Sequence, residues 1–232
     1  MNDLKRLINP RVIILLLFFI VLIPFLPLLI SWSWDWWEAW IYGILSILGF
    51  VVSRVLAARR QPGLIVERSH YMQHVNTQSW DIKLAPLMGL SGILVMVVAG
   101  LDALLGWSPS FSLPVKILAL VFILGGYALS SYALIENRFF SGTVRLQTDR
   151  GQQVVSSGPY RWLRHPGYAG ALLVYFVTPL FLDSALAFLP TLLTAGLYGI
   201  RTSLEDKFLQ DELEGYRDYA KRVRYRLFPG IW

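Results

Sequence analysis

Residues 84–105 read LAPLMGLSGILVMVVAGLDALL, and residues 113–135 read LPVKILALVFILGGYALSSYALI. Each run exceeds the roughly 20 apolar residues that carry a helix across a bilayer, and each holds a single charged side chain, Asp102 or Lys116. Val12–Ile30 and Trp36–Ala57 are of similar length. Two shorter runs, Tyr168–Leu182 and Ala185–Ile200, flank Asp183-Ser184. They predict a short hairpin, either a tight turn within the membrane or a pair of helices shielded by the others. The fold class expected is all-α: a polytopic membrane helical bundle of about six transmembrane segments.

Composition agrees. Of the 232 residues, 55% are hydrophobic and only 16% charged, against about 25% charged in ordinary soluble domains. Mean hydropathy is +0.52. The chain has no cysteine, which excludes disulfides, zinc–thiolate centres and thiol nucleophiles. The run Val12–Ile30 is longer than the ~7–15-residue core of a signal peptide and no small-x-small cleavage site follows it, so it reads as a retained first helix.

Orientation follows from charge. If all six runs cross, every Lys and Arg except Lys116 falls on one side. The positive-inside rule places that side, and with it both termini, in the cytoplasm. The net charge of +6 is therefore a topological signature, and no nucleic-acid partner is expected. On the other side, Trp32, Trp34, Trp36 and Trp37 suit an interfacial aromatic belt. On the basic side, Gln61–Asp81 predicts an interfacial helix with Leu64, Ile65, Met72, Val75 and Trp80 among headgroups. Thr143–Val155 predicts a hairpin or extended loop turning at Asp149-Arg150-Gly151. Leu204, Phe208, Leu209, Leu213, Tyr216, Tyr219 and Val223 recur at helical spacing over Ser203–Tyr225, predicting a C-terminal amphipathic cytoplasmic helix.

Chemistry concentrates in two places. Gly158-Pro159-Tyr160-Arg161-Trp162-Leu163-Arg164-His165-Pro166-Gly167-Tyr168 crowds arginines, a histidine and tyrosines onto a turn beside an apolar hairpin. Polar groups at a lipid edge are costly unless they face protein or a ligand. Pro166 suits the first position of a helix, whose free N–H groups from Gly167 onward favour a carboxylate or phosphate. A plain helix cap with snorkelling arginines would look the same. Arg201 and Glu205 lie one helical turn apart where the hairpin returns, the usual spacing of a surface ion pair. At the membrane edge, however, an arginine is more often functional, and Glu205 could accept hydrogen bonds from a ribose diol. Ser203 and Asp206 could instead start a helix as a capping box. His70 and His74 share a helix face but have no third ligand at sensible spacing, so no metal is expected. No Rossmann, P-loop or serine-hydrolase fingerprint is present.

Taken together, GPYxxxRHPxY, an apolar hairpin, Arg-x-x-x-Glu and a Tyr-rich tail resemble the isoprenylcysteine carboxyl methyltransferase family, which is grouped with membrane phospholipid methyltransferases. The resemblance runs from about Asn137 to Gly230 and divides the chain into N-terminal transmembrane helices (1–135, about four) and a catalytic region (136–232). It implies an S-adenosylmethionine site at the cytoplasmic helix ends. The implied cofactor contacts are Gln147, Gln152, Gln153, Val154, Val155, Tyr160, His165, Pro166, Gly167, Tyr168 and Glu205. Arg201 matches an arginine that meets the methyl acceptor. Where the family often carries consecutive glutamates, this chain reads Glu205-Asp206.

On this reading the protein is an integral membrane, S-adenosylmethionine-dependent methyltransferase, with S-adenosylhomocysteine as its product. Its expected partners are the lipid bilayer and a lipophilic acceptor, with a carboxylate as the first candidate. Phospholipid amine or small-thiol methylation is the enzymatic alternative, and a transport or scaffold protein the non-enzymatic one. Aromatic faces at Tyr160 and Tyr168 suit a sulfonium or a stacked adenine, and the transfer asks for alignment and exclusion of water rather than a metal. Nothing in the sequence identifies the acceptor or the oligomeric state.

Overall fold

The computed structural model describes the backbone of residues 18–69 and 76–232. The start of the first apolar run, the His70/His74 pair, Met72 and Val75 lie outside the described residues. Within that first run, Pro24 and Pro27 segment the chain. A π-helical turn at Phe18–Leu22 and a 3-10 turn at Ile23–Phe25 precede α1, Leu26–Ser31. Proline removes a backbone donor and crowds the preceding turn, so short pieces stand where a uniform helix was expected.

Helices α2 (Trp37–Arg60), α4 (Ser79–Leu105) and α5 (Leu113–Glu136) are long and apolar enough to cross a membrane, with the short α3 (Pro62–Ser69) between the first two. At 24 to 27 residues they measure about 36–40 Å at 1.5 Å per residue. Leu90, Leu118, Val121 and Leu192 remain 57–59% exposed. Apolar surface of that extent on several helices marks a lipid-facing belt. Helix α6, Pro166–Phe181, is only about 24 Å long, short of the ~30 Å hydrocarbon core. It is shielded rather than lipid-bathed: its Gly167, Ala169, Gly170, Leu172, Val174 and Thr178 are buried. Glycine brings α6 against α5. A Cβ on Gly170 would stand 2.6 Å from the Gly126 carbonyl oxygen, and a Cβ on Gly126 would stand 2.6 Å from that of Gly170. Close backbone approach through small residues is how helices associate where lipid removes the hydrophobic drive.

Helix α7 runs unbroken from Phe188 to Glu212. The amphipathic helix expected over Ser203–Tyr225 is therefore not a separate element at its start. No Gly or Pro interrupts residues 200–212, and the chain breaks only where Gly215 adopts φ 79°, after which α8 spans Tyr216–Arg222. The loop after α5 turns at Thr148–Arg150, with Gly151 at φ 58°, which is the expected turn. No strand pairing accompanies it among the described residues.

The buried charged groups of the bundle sit toward its two ends. At the end away from most of the basic residues, Lys116 is buried in ion pairs with Glu38 and Asp183. The exceptional lysine of the charge pattern is thus an internal counter-ion and not a surface charge. Asp183, at φ 52°, also accepts the Phe111 N–H at 2.7 Å. Asp102 accepts Ser184 Oγ at 2.6 Å and Ser108 Oγ at 2.7 Å. These bonds clasp the hairpin turn between α6 and α7 to the α4–α5 connection. Removing Lys116 leaves the buried Glu38 carboxylate and the half-buried Asp183 carboxylate without their shared cation. Lys116→Ala is expected to lose about 3 kcal/mol of stability, read as a lowered melting temperature of the detergent-solubilised protein. Lys116→Arg should retain most of it.

Candidate functional site

At the basic end, residues 137–165 fold over the ends of the helices and are pinned from several sides. Gln78 N–H donates to the Val144 carbonyl at 2.9 Å, and Asp81 accepts the Val144 N–H at 2.7 Å. Arg145 pairs with Glu67 of α3 at 2.9 Å and with Asp149 at 2.7 Å. The C-terminal segment closes the other side: Arg164 and His165 N–H donate to the carbonyls of Tyr225 and Arg226 at 3.0 and 2.9 Å.

These elements enclose a hollow of about 810 Å³, counted with its open mouth. Gln147, Gln152, Gln153, Val154, Val155, Tyr160, His165, Gly167, Tyr168, Arg201 and Glu205 all line it. Among the implied cofactor contacts and Arg201, Pro166 alone is not in the lining; it starts α6. Residues as far apart in sequence as Asn137 and Tyr219 thus share one cavity. Phe139, Phe140, Leu209, Leu213 and Tyr216 supply an apolar and aromatic wall, continuous with a small core around Tyr160 and Tyr219. The Tyr219 hydroxyl donates to the Tyr160 carbonyl at 2.8 Å, fixing the ring that borders the hollow.

Several expected roles change. Gln147 is 1% exposed, and its amide donates to the Phe139 carbonyl at 2.7 Å. Its side chain therefore shapes the loop. The helix start at Pro166 offers fewer free donors than expected. His165, at φ −126° and ψ 60°, turns its carbonyl back to accept the N–H groups of both Tyr168 and Ala169 at 3.1 Å. Gly167 alone keeps an N–H without a backbone partner, and a Cβ there would meet the Phe140 ring at 2.7 Å.

Arg201 and Glu205 share a face of α7 but do not pair. The Arg201 Nε and Nη2 bind Asp81 Oδ1 and Oδ2 at 2.8 and 3.0 Å, and Nη2 also reaches the Gly142 carbonyl at 3.0 Å. Its guanidinium lies over the Tyr168 ring, 5.5 Å from the centroid. Glu205 instead accepts the Tyr168 hydroxyl at 2.6 Å, and Tyr168 stacks on His165 with ring centroids 5.7 Å apart.

Asp206 is not a helix cap, because it lies inside α7. Fully buried within α7, it accepts Arg164 Nη1 at 2.8 Å, Arg226 Nε at 3.0 Å, Gln210 Nε2 at 2.8 Å and the Tyr216 hydroxyl at 3.1 Å. His165 Nε2 stands 3.4 Å away. Arg164 Nε is the one buried side-chain nitrogen or oxygen without a hydrogen-bond partner among the described residues, and Arg164 lines the hollow. Sequence reasoning missed Asp81 and Asp206 as site residues. Asp81 carried a usable signal, as an acid placed just before a long apolar run.

Burial would raise the Asp206 carboxyl, but the His165 hydrogen bond and charge, with the Arg164 and Arg226 guanidiniums, outweigh it and hold it at about 2. A folded-state value below the usual 3.8 means stability that is present above the unfolded value and lost as pH falls through the folded one. Wild-type protein is therefore expected to lose stability between about pH 4 and pH 2. Asp206→Asn should start about 3 kcal/mol lower at neutral pH and lack this part of the acid transition in a thermal-denaturation series.

Comparison with known proteins places the site in context. Residues 117–211 match the model of the isoprenylcysteine carboxyl methyltransferase (ICMT) family. Over 62 residues the chain is 36% identical to the uncharacterized protein YpbQ of Bacillus subtilis (strain 168), covering 26% of this chain and 37% of that protein. Over 112 residues it is 28% identical to a probable protein-S-isoprenylcysteine O-methyltransferase of Oryza sativa subsp. indica, covering 47% of this chain and 59% of the relative. The corresponding protein of subsp. japonica gives the same values. The chain thus spans between about a third and three-fifths of the length of these curated relatives. The matched stretch holds most of the hollow's wall, from Asn137 to Leu209, and over it this chain is isoprenylcysteine carboxyl methyltransferase-like.

Proposed function

We propose that this protein is an integral membrane methyltransferase that binds S-adenosylmethionine in the hollow at its basic, cytoplasmic end and methylates a lipophilic carboxylate presented from the bilayer. The observation that carries the reading is the convergence of Tyr160, His165, Tyr168, Arg201 and Glu205 on one cavity within an ICMT-like stretch. The donor set fits the methyl donor. Arg164 Nε, buried and without a partner, and the free Gly167 N–H suit its carboxylate. Glu205 suits its ribose or its ammonium, and the Tyr160 ring suits a sulfonium or an adenine, while Tyr168, stacked on His165 and covered by Arg201, backs the site. Gln152, Gln153, Val154 and Val155 complete the lining.

When bound, this donor supplies a sulfonium methyl: a carboxylate oxygen's lone pair forms the new C–O bond as the S–CH3 electron pair leaves to sulfur, with no proton transferred. The residues of the chain hold the reacting groups in line and exclude water. An amine acceptor would have to lose a proton to a base. The carboxylates around the hollow are already engaged: Asp81 by Arg201, Asp206 by two guanidiniums, and Glu205 by the Tyr168 hydroxyl. That arrangement favours an acceptor ionised before it arrives. That Arg201 is buried and lines the hollow supports its assignment as the residue that meets the acceptor.

Calorimetric titration of the detergent-solubilised protein with S-adenosylhomocysteine tests the reading; no binding at millimolar ligand overturns it. Glu205→Ala is expected to weaken that binding about tenfold or more, while Arg201→Lys leaves it within about twofold and lowers turnover. Equal effects of the two substitutions on cofactor affinity would refute this division of roles.

A further inference from the structure

We infer that Asp81 is a positioning residue that restricts Arg201 to a one-nitrogen grip on the methyl acceptor. This rests on the reading of Arg201 as the acceptor-facing residue. Asp81 comes from the first turn of α4, outside the stretch that resembles the family, so the site depends on a residue that the resemblance does not reach.

The argument is a count of hydrogens. A guanidinium carries five N–H donors, one on Nε and two on each terminal nitrogen. Asp81 takes the Nε hydrogen at 2.8 Å and one Nη2 hydrogen at 3.0 Å, and the Gly142 carbonyl takes the other Nη2 hydrogen at 3.0 Å. The side edge of the fork is spent on Asp81. The end edge, which would otherwise embrace a second carboxylate through both terminal nitrogens, has lost its Nη2 half to Gly142. Only Nη1 remains without a protein partner among the described residues, on a side chain that lines the hollow.

The geometry is stiff. Asp81 has no exposed surface and is fixed by the Val144 N–H, while the Tyr168 ring backs the guanidinium plane.

The consequence is chemical. A bidentate guanidinium draws charge from both oxygens of a carboxylate. A one-nitrogen contact through Nη1 holds one oxygen and leaves the other bare to attack the methyl group. Asp81 therefore trades acceptor affinity for nucleophilicity. Interactions that tighten the ground state without tightening the transition state do not raise turnover.

Asp81→Asn removes the charge and offers its amide N–H groups to Nη2, loosening the fork. With N-acetyl-S-farnesylcysteine as acceptor, and kcat normalised to sites counted by S-adenosylhomocysteine titration, kcat is expected to fall about tenfold while KM for the acceptor holds or falls. Cofactor affinity should stay within about twofold of wild type. Should Asp81→Asn not fold, Asp81→Glu makes the same test, because it keeps the charge but moves the guanidinium by one methylene. Unchanged kcat and KM per cofactor-binding site would overturn the positioning role alone, leaving Asp81 as packing. Wild type that binds S-adenosylhomocysteine but neither binds nor methylates the probe would overturn the carboxylate acceptor, and this inference with it. Absence of S-adenosylhomocysteine binding would overturn the methyltransferase reading itself.

Discussion

The buried carboxylate of Asp206 organises the basic end of this molecule. An unpaired charge without water is too costly to persist, so its neighbours must converge on it. Arg164 comes from the turn before α6, Arg226 from the C-terminal segment, Tyr216 from the start of α8, and Gln210 from its own helix. One anion thus ties four parts of the chain beside the hollow, which two of its partners, Arg164 and Tyr216, line. It also leaves Arg164 Nε without a hydrogen-bond partner among the described residues.

The same rule operates at both ends of the bundle. The helices between them are nearly charge-free, as lipid demands, and the ionisable groups that do enter are matched. Lys116 with Glu38 and Asp183 secures one end, and Arg201 with Asp81 secures the other. The two sets differ in what they leave over. At the hairpin end the charges consume one another around a turn. At the basic end the pairing is incomplete by design of the fold: Arg201 retains Nη1, Arg164 retains Nε, and Glu205 is met by a phenol and not by a cation. A hollow lined by partly spent donors and aromatic rings is what the proposed zwitterionic, sulfonium-bearing ligand would require.

Much of this was legible in the chain. Apolar run lengths located α2, α4 and α5, because a bilayer sets one length scale for every crossing. Gly158–Tyr168 and the Arg201/Glu205 pair marked the residues that gather around the cavity, because polar groups at a lipid edge need a reason to be there. Pairings were not legible. The one-turn spacing of Arg201 and Glu205 suggested that they bind each other, yet each found a better partner on another element. A guanidinium meets a carboxylate best side-on, and Asp81 presents both oxygens from across the bundle. The segmented start at Pro24 and Pro27 was written in the prolines, but run length alone passed over it.

By itself, then, the sequence determined that the chain is helical and membrane-embedded, where its charges gather, and which residues are candidates for chemistry. These depend on hydrophobicity and local spacing, which act within a few turns of chain. Only the tertiary structure decided which acid neutralises which base, that Asp206 is a hub and Asp81 a clamp, and which donors remain free for a ligand. Those outcomes depend on groups as many as 120 residues apart being brought together where water is scarce, and no local pattern encodes that distance.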